Sequence, residues 1–329
     1  MYTVLPQDEE MISLYRDILP RRIFDAHAHF YAKDTIPGTQ GRGSFLREEC
    51  GISDYKSDMA PFYPGVATLA VHAVPMPDRA LHDTQNGLRE RINAYARREA
   101  TAHPDCVASA YLHKDDEEET IETFLSDHHV RALKCYWYAA GKANGEDCMI
   151  REFLPEAAWR VSARRGIPIL LHIMHEGALA DERNLNYIKS MARKYPDAKL
   201  VLAHCARAFA SYTGVFAIPA LSAYENIWFD FAAITEPSAM IACIKATKAK
   251  RVMWGTDYPI CMFRGKPVSL GRGFHWLAGK DYPPQIAPAL LITESLLALK
   301  QAALLCDLDA SDLADIFDRN ARALFGMPI

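Results

Sequence analysis

The chain has 329 residues, half of them hydrophobic, and carries a formal charge of −4. That length allows one large domain or two average ones, with a sizeable buried core. The near-neutral balance provides no electrostatic case for nucleic acid or an anionic membrane surface, so neither is an expected partner.

Short β-type runs alternate with longer helix-type runs. The expected strands are Arg22–His29, Val66–Val74, Val107–His113, Val130–Tyr136, Pro168–Ile173, Lys199–His204, Ile227–Ala232 and Arg251–Thr256. Helical candidates between them are Asp78–Ala100, Asp115–Ser126, Arg151–Arg165, Glu182–Lys194 and Pro237–Thr247. Strands that are apolar on both faces and separated by helices imply a parallel sheet. A series of such units, with no Gly-x-Gly-x-x-Gly after the first strand, predicts an α/β fold: a closed (β/α)8 TIM barrel forming a single domain over residues 1–329. A doubly wound sheet under a helical cap is the alternative.

Two segments exceed an ordinary βα loop. Residues 31–65 follow the first strand and are rich in Gly, Pro and charge; residues 259–284 follow the last strand and carry Arg264, Arg272, Phe274, His275 and Trp276. In a barrel both lie over the C-terminal face, so they read as lid or substrate loops, with plain surface insertion as the alternative. Ile286 to Leu305 is interrupted by Glu294, Lys300 and Gln301 and reads as a buried amphipathic helix instead of a membrane span. The last helix starts near Asp309 and Asp312, buries Leu313, Ile316, Phe317 and Leu324, and stops at Gly326.

Eight cysteines are scattered along the chain without a Cys-x-x-Cys pair. The N-terminus, MYTVLPQDEEMISLYRD, is acidic and lacks a basic-then-apolar leader. Both point to reduced thiols in a cytoplasmic protein.

Chemistry concentrates at strand ends. In Asp25-Ala26-His27-Ala28-His29 the two histidines are two residues apart, so strand alternation turns both imidazoles to one side, roughly 6–7 Å apart along the chain. Ile169-Leu170-Leu171-His172 ends an apolar strand in an imidazole that needs a partner if buried. His175, in the loop beyond, competes with it; His172 is preferred because strand ends hold ligands more rigidly. Leu200-Val201-Leu202-Ala203-His204 repeats the pattern, and Trp254-Gly255-Thr256-Asp257 places a carboxylate after the final strand. Each residue alone reads as a core histidine, a helix cap or a turn. Together, separate apolar strands delivering His or Asp at the same end point to one metal site. His72 and His113, near the ends of the second and third strands, read as packed or hydrogen-bonded; His82, His103, His128 and His129 read as surface.

These stretches, with Leu-Val-Leu-Ala-His-Cys-Ala-Arg and Trp-Gly-Thr-Asp-Tyr-Pro, resemble the amidohydrolase superfamily, and within it the aminocarboxymuconate-semialdehyde decarboxylase-like branch. The resemblance spans residues 22 to 326. It implies a barrel with His27, His29, His172 and Asp257 as metal ligands and His204 beside a metal-bound water. Lys134 falls near the carboxylated lysine of binuclear relatives; because this branch is usually mononuclear, it reads as a pocket or structural residue. Ala206 stands where the family usually has glycine. A homodimer paired through helices flanking the barrel is the assembly implied.

Imidazoles and one carboxylate suit a divalent cation, with Zn2+ expected and Mn2+, Fe2+ or Co2+ also accommodated. Asp257 or His204 then serves as general base. Arg207, Arg264, Arg272 and Lys134 are candidates for holding a small anionic substrate. The expected activity is metal-dependent hydrolysis of an amide, ester or lactone. Non-oxidative decarboxylation of an unsaturated or aromatic acid is the first alternative, and a non-catalytic ligand-binding barrel the second.

Overall fold

The apolar runs form parallel strands in chain order: β1 (Arg22–Phe30), β2 (Thr68–Pro75), β3 (Val107–Tyr111), β4 (Val130–Cys135), β5 (Pro168–Leu171), β6 (Lys199–Leu202), β7 (Ile227–Asp230) and β8 (Val252–Met253). The computed structural model describes residues 2–36, 46–76, 87–142, 144–175, 177–271, 273–283 and 285–329. Each strand pairs in parallel with the next, from β1·β2 to β7·β8. Between β8 and β1 the sheet closes through individual backbone bonds. Ala26 N donates to Trp254 O at 2.9 Å, Asp257 N to His27 O at 2.8 Å and His29 N to Tyr258 O at 2.6 Å. The architecture is the (β/α)8 barrel, and the open doubly wound sheet is excluded.

Helices Glu182–Lys194 and Pro237–Thr247 have the bounds expected from sequence. The helix after β4 begins at Glu156, later than expected, because Pro155 occupies its N-cap with extended ψ. The helix after β3 is confined to Glu118–Phe124, and the one after β2 runs Leu88–Ala102, the expected residues 78–86 and His82 lying outside those described. The apolar stretch near the C-terminus is helical over Leu291–Leu305. Asp309 caps the final helical segment through Ser311 N and Asp312 N, and Gly326, at φ 64°, ends it. Among the described residues, no helix is long and apolar enough to cross a membrane. All eight cysteines are free thiols.

The lower barrel interior is apolar, with Phe24, Ala70, Val107, Ala132, Leu170 and Val201 in one cluster that Phe325 plugs by stacking on Phe24 at 5.6 Å. Above it the interior turns polar. His72 meets Ala26 O at 2.8 Å and Ser109 Oγ at 2.5 Å, so it is a satisfied interior histidine, as expected.

Of the segment after β1 expected as a lid or substrate loop, residues 37–45 lie outside those described. Its described part, including a helix over Ile52–Met59, clamps the β8–β1 seam from outside: Tyr55 Oη donates to Asp25 Oδ2 at 2.8 Å, Tyr258 Oη to Asp58 Oδ2 at 2.8 Å, and Trp254 Nε1 to Tyr63 Oη at 2.8 Å. Asp25 is the centre of this clamp. Its Oδ1 accepts from His27 N and Thr256 N, both at 3.0 Å, and its Oδ2 also accepts from Thr256 Oγ1 at 2.6 Å. Asp25→Ala leaves two buried N–H groups without an acceptor and is expected to cost about 3 kcal/mol or more of unfolding free energy. Asp25→Asn should cost less, because the hydroxyls of Tyr55 and Thr256 can rotate to accept. Urea unfolding midpoints of the two variants check both the size and the order.

Candidate metal centre and cavity

The imidazoles of β1 owe their direction to one extra residue. Asp25 pairs with Val71 and Ala28 with Ala73, so three steps on β1 match two on β2. At such a bulge the alternation resets. Ala26 joins the interior apolar cluster, and His27 and His29 beyond it still reach the centre, on one side as expected.

His172 and His204 do not lie within strands, as their expected spans had it, and Asp257 follows the final strand, as expected. They follow the last residues of β5, β6 and β8, on the first turns over the C-terminal face. Two of those turns are left-handed. His204, Cys205, Ala206 and Arg207 have φ between 50° and 61°, Asp257 has φ 61°, and Ala208 N donates to His204 O at 2.8 Å. Such a conformation costs an L-residue roughly 1–2 kcal/mol. Glycine at position 206 would carry no such Cβ penalty.

Convergence is close. His29 Nε2 lies 3.0 Å and His27 Nε2 3.7 Å from Asp257 Oδ1. His27, His204 and Asp257 each offer a ligand atom within 4.8 Å of the others. Ring centroids of His27 and His204 are 5.0 Å apart, and those of His172 and His204 are 4.9 Å apart. The structure therefore brings the four expected ligands and the expected base into one cluster. The tightest trio contains His204, while His172 sits at the edge beside it. His175 is not among the cavity-lining residues; its Nδ1 meets Arg183 at 3.3 Å.

A cation fits this donor set. His27 Nε2 is buried without a hydrogen-bond partner, an expensive state for a ring nitrogen unless something at the centre engages it. The ring's other nitrogen, Nδ1, faces the Asp230 carboxylate at 3.0 Å, and His204 Nδ1 faces Ala232 O at 2.9 Å. Carboxylates and carbonyls only accept, so both rings carry the proton on Nδ1 and turn an Nε2 lone pair toward the centre. Burial, then the charge of Lys134, pushes the pKa of His27 well below its usual value. Burial, then His204, does the same for His172. Both are neutral imidazoles near pH 7, the form that binds metal. Burial works to raise Asp257, but His204, His29 and His27 outweigh it and hold the acid down to about 2.

Over this floor opens a cavity of about 370 Å³. Its walls are Tyr136, Trp137 and Tyr138 after β4, Phe209 after β6, and Phe263, Phe274 and Trp276 after β8. The segment 259–284 contains a hairpin, β9 (Gly265–Leu270) with β10 (Gly273–Ala278). Its inner face presents Phe274 and Trp276 to the cavity, and His275 between them is exposed.

The candidate substrate cations separate. Arg207 lines the cavity, its guanidinium 5.6 Å over the Phe274 ring and its Nη1 donating to His175 O at 2.7 Å. Arg264 does not line it. Both its Nη atoms donate to the buried Asp8 carboxylate, at 3.2 and 2.9 Å, and to Pro288 O and Thr3 O. Lys134 is also not a wall residue. It is buried in the barrel, its Nζ 4.7 Å over the Tyr136 ring, and burial lowers its pKa to about 8. Arg272 lies outside the described residues.

Sequence reasoning missed Asp230 and the aromatic wall around Tyr136 and Phe209. Asp230 carried the same signal as Asp257: the apolar run Ile227-Trp228-Phe229 delivers a carboxylate at its C-terminal end.

With that geometry in place, comparison with known proteins is decisive for the family. The amidohydrolase family profile matches residues 24–327. The chain belongs to the amidohydrolase family. It is an enzyme of that family, and the non-catalytic barrel is set aside. An amidohydrolase from Burkholderia multivorans with bound zinc aligns at TM-score 0.61 and 13% identity, covering 93% of this chain and 99% of that one. The 5-carboxyvanillate decarboxylase from Sphingomonas paucimobilis aligns at 0.61 and 12%, covering 94% and 100%. A Pseudomonas putida protein assigned as a 2-pyrone-4,6-dicarboxylic acid hydrolase aligns at 0.58 and 16%, covering 94% and 100%. At these identities the likeness shows the fold; hydrolases and decarboxylases share it, in keeping with the resemblance to the decarboxylase-like branch. No curated protein matches the chain.

The position of Arg264 makes a separable prediction. Arg264→Ala leaves the buried Asp8 carboxylate only the N–H groups of Leu5 and Leu290 and should lower unfolding free energy by about 1.5–3 kcal/mol, while KM for any substrate turned over stays at the wild-type value. Chemical denaturation and steady-state kinetics on one preparation check both halves.

Proposed function

We propose that this amidohydrolase is a metal-dependent hydrolase that opens an amide, ester or lactone of a small anionic substrate. The observation that carries the reading is an ionised, buried carboxylate, Asp257, set among the imidazoles of His27, His29, His172 and His204 at the floor of an aromatic cavity. Arg207 is the one cationic side chain among the described residues lining that cavity. His27, His29, His172 and Asp257 are the proposed ligands of one divalent cation, with zinc favoured by the imidazole-rich donors and by the zinc-bound relative. When bound, such an ion supplies Lewis acidity, polarising a carbonyl and bringing the pKa of water toward about 7.

The chain's own residues supply the rest. Arg207 pairs with the substrate's carboxylate and fixes the register of the reacting carbonyl over the floor. Aromatic walls take up the flat body of the substrate and exclude bulk water. Asp257 accepts a proton from the attacking water and returns it to the departing oxygen or nitrogen. His204, in the same cluster, accepts a hydrogen bond from that water.

One observation favours a second reading. The density of aromatic wall suits a planar ring, and two of the structurally similar proteins are decarboxylases of aromatic acids. In that chemistry the proton from the floor goes to carbon, and the C–C bond breaks to release CO2.

Elemental analysis of purified protein should find about one divalent ion per chain, and chelation should abolish turnover. Asp257→Asn should lower kcat by about a hundredfold or more. Arg207→Gln should raise KM for carboxylate substrates by about tenfold, the worth of one charged hydrogen bond. On a panel of lactones, esters and aromatic acids, CO2 release without hydrolysis would sink the hydrolase reading in favour of the decarboxylase.

A further inference from the structure

The end of β7 contributes no ligand and no cavity wall, yet it touches both rings on which the proposed chemistry turns. Asp230 is fully buried. Its Oδ2 accepts from His27 Nδ1 at 3.0 Å. Its Oδ1 accepts from the backbone N–H of His204 at 2.8 Å and from that of Ala232 at 3.1 Å. Ala232 in turn accepts from His204 Nδ1 through its carbonyl, at 2.9 Å. The short run Asp230-Phe231-Ala232 therefore grips His204 by backbone and ring, and His27 by ring.

Two backbone N–H groups donate to Asp230 Oδ1, which favours its carboxylate form, and a carboxylate has no proton to give. His27 must present Nδ1–H to it, which leaves Nε2, the buried and unpartnered nitrogen, facing Asp257 with a lone pair. The His204 N–H opens the left-handed turn, and Oδ1 of Asp230 is its acceptor. We infer that Asp230 is a positioning residue that sets the tautomer of His27 and locks the His204 turn against it, so that one carboxylate couples the ligand ring to the proton-transferring ring. The metal half of this inference rests on the proposed metal site; the tautomer half does not.

Substitution by asparagine separates that role from simple support of the fold. Asn Oδ1 can accept from the same two N–H groups. Its Nδ2 then points hydrogens at His27 Nδ1, which drives the ring proton to Nε2. The flipped amide would aim its hydrogens at two N–H donors, so only the first orientation is satisfied.

The test uses the full-length wild type, Asp230→Asn and Asp230→Ala. Long-range 1H–15N spectra of the metal-free proteins report the His27 tautomer, chelator competition reports affinity for Zn2+, and thermal unfolding of the metal-free proteins reports the fold. Expected results are an Nδ1–H ring in the wild type and an Nε2–H ring in Asp230→Asn. Zn2+ binding to Asp230→Asn should be weaker by about ten- to a hundredfold, with an unfolding midpoint near that of the wild type. Asp230→Ala should lose both affinity and thermal stability. A wild-type tautomer with undiminished Zn2+ affinity in Asp230→Asn would overturn the inference, as would a midpoint for Asp230→Asn as low as that of Asp230→Ala. If the folded wild type takes up no Zn2+, the metal reading fails by itself, and the tautomer spectra still decide the part played by Asp230.

Discussion

The backbone N–H of Asp257 donates to the carbonyl of His27 at 2.8 Å, and this bond belongs to the seam that joins the last strand of the barrel to the first. Residues as distant as Asp25 and Thr256, 231 positions apart, are bonded across it. In an open sheet the acid after β8 and the imidazoles of β1 would stand at opposite edges. Closure makes them neighbours, and Asp257 comes within 3.0 Å of His29. The clamp formed by Asp25, Tyr55 and Thr256 supports the floor of histidines and Asp257 from outside, although none of the three lines the cavity.

Polar groups beneath a closed barrel are costly, and the structure contains the cost in a thin layer. Left-handed turns at His204–Arg207 and at Asp257 each carry strain of roughly 1–2 kcal/mol per residue. An unpartnered His27 Nε2 adds a desolvation cost. Fully burying one side chain such as Phe24 or Leu170 stabilises by about 1.5–3 kcal/mol, and the apolar cluster below the floor holds several of them. A rigid apolar base thus permits a strained polar top. The strain is useful, because a relaxed strand would not turn Arg207 and His204 toward one cavity.

Wall and floor divide the labour of selectivity and chemistry. The floor of imidazoles and carboxylate can move a proton to oxygen, nitrogen or carbon, so it suits hydrolysis and decarboxylation alike. The wall comes from three separate segments, the last carrying a hairpin whose strands pair only with each other among the described residues. Phe209 lies between hairpin and floor, its ring 5.0 Å from Phe274 and 5.2 Å from His204. The aromatic wall is thereby continuous from the hairpin down to the floor.

The repeat of apolar runs and helices determined the parallel β/α units, because a strand buried on both faces leaves a signal in every residue, while closure into a barrel was decided by the bonds between β8 and β1. His27, His29, His172, His204 and Asp257 were legible for a related reason: each follows an apolar run, where a polar residue needs a purpose. Asp230 sent the same signal from β7, but its meaning depended on which ring lay opposite. The tertiary structure alone decided that Arg264 serves Asp8 while Arg207 serves the cavity, since an arginine looks alike in sequence whichever partner it finds. It also decided that residues after β1 clamp the seam, that one extra residue in β1 keeps both histidines pointing inward, and that His204 begins a left-handed turn. Those outcomes depend on contacts between segments far apart in the chain, and local periodicity carries no record of such contacts.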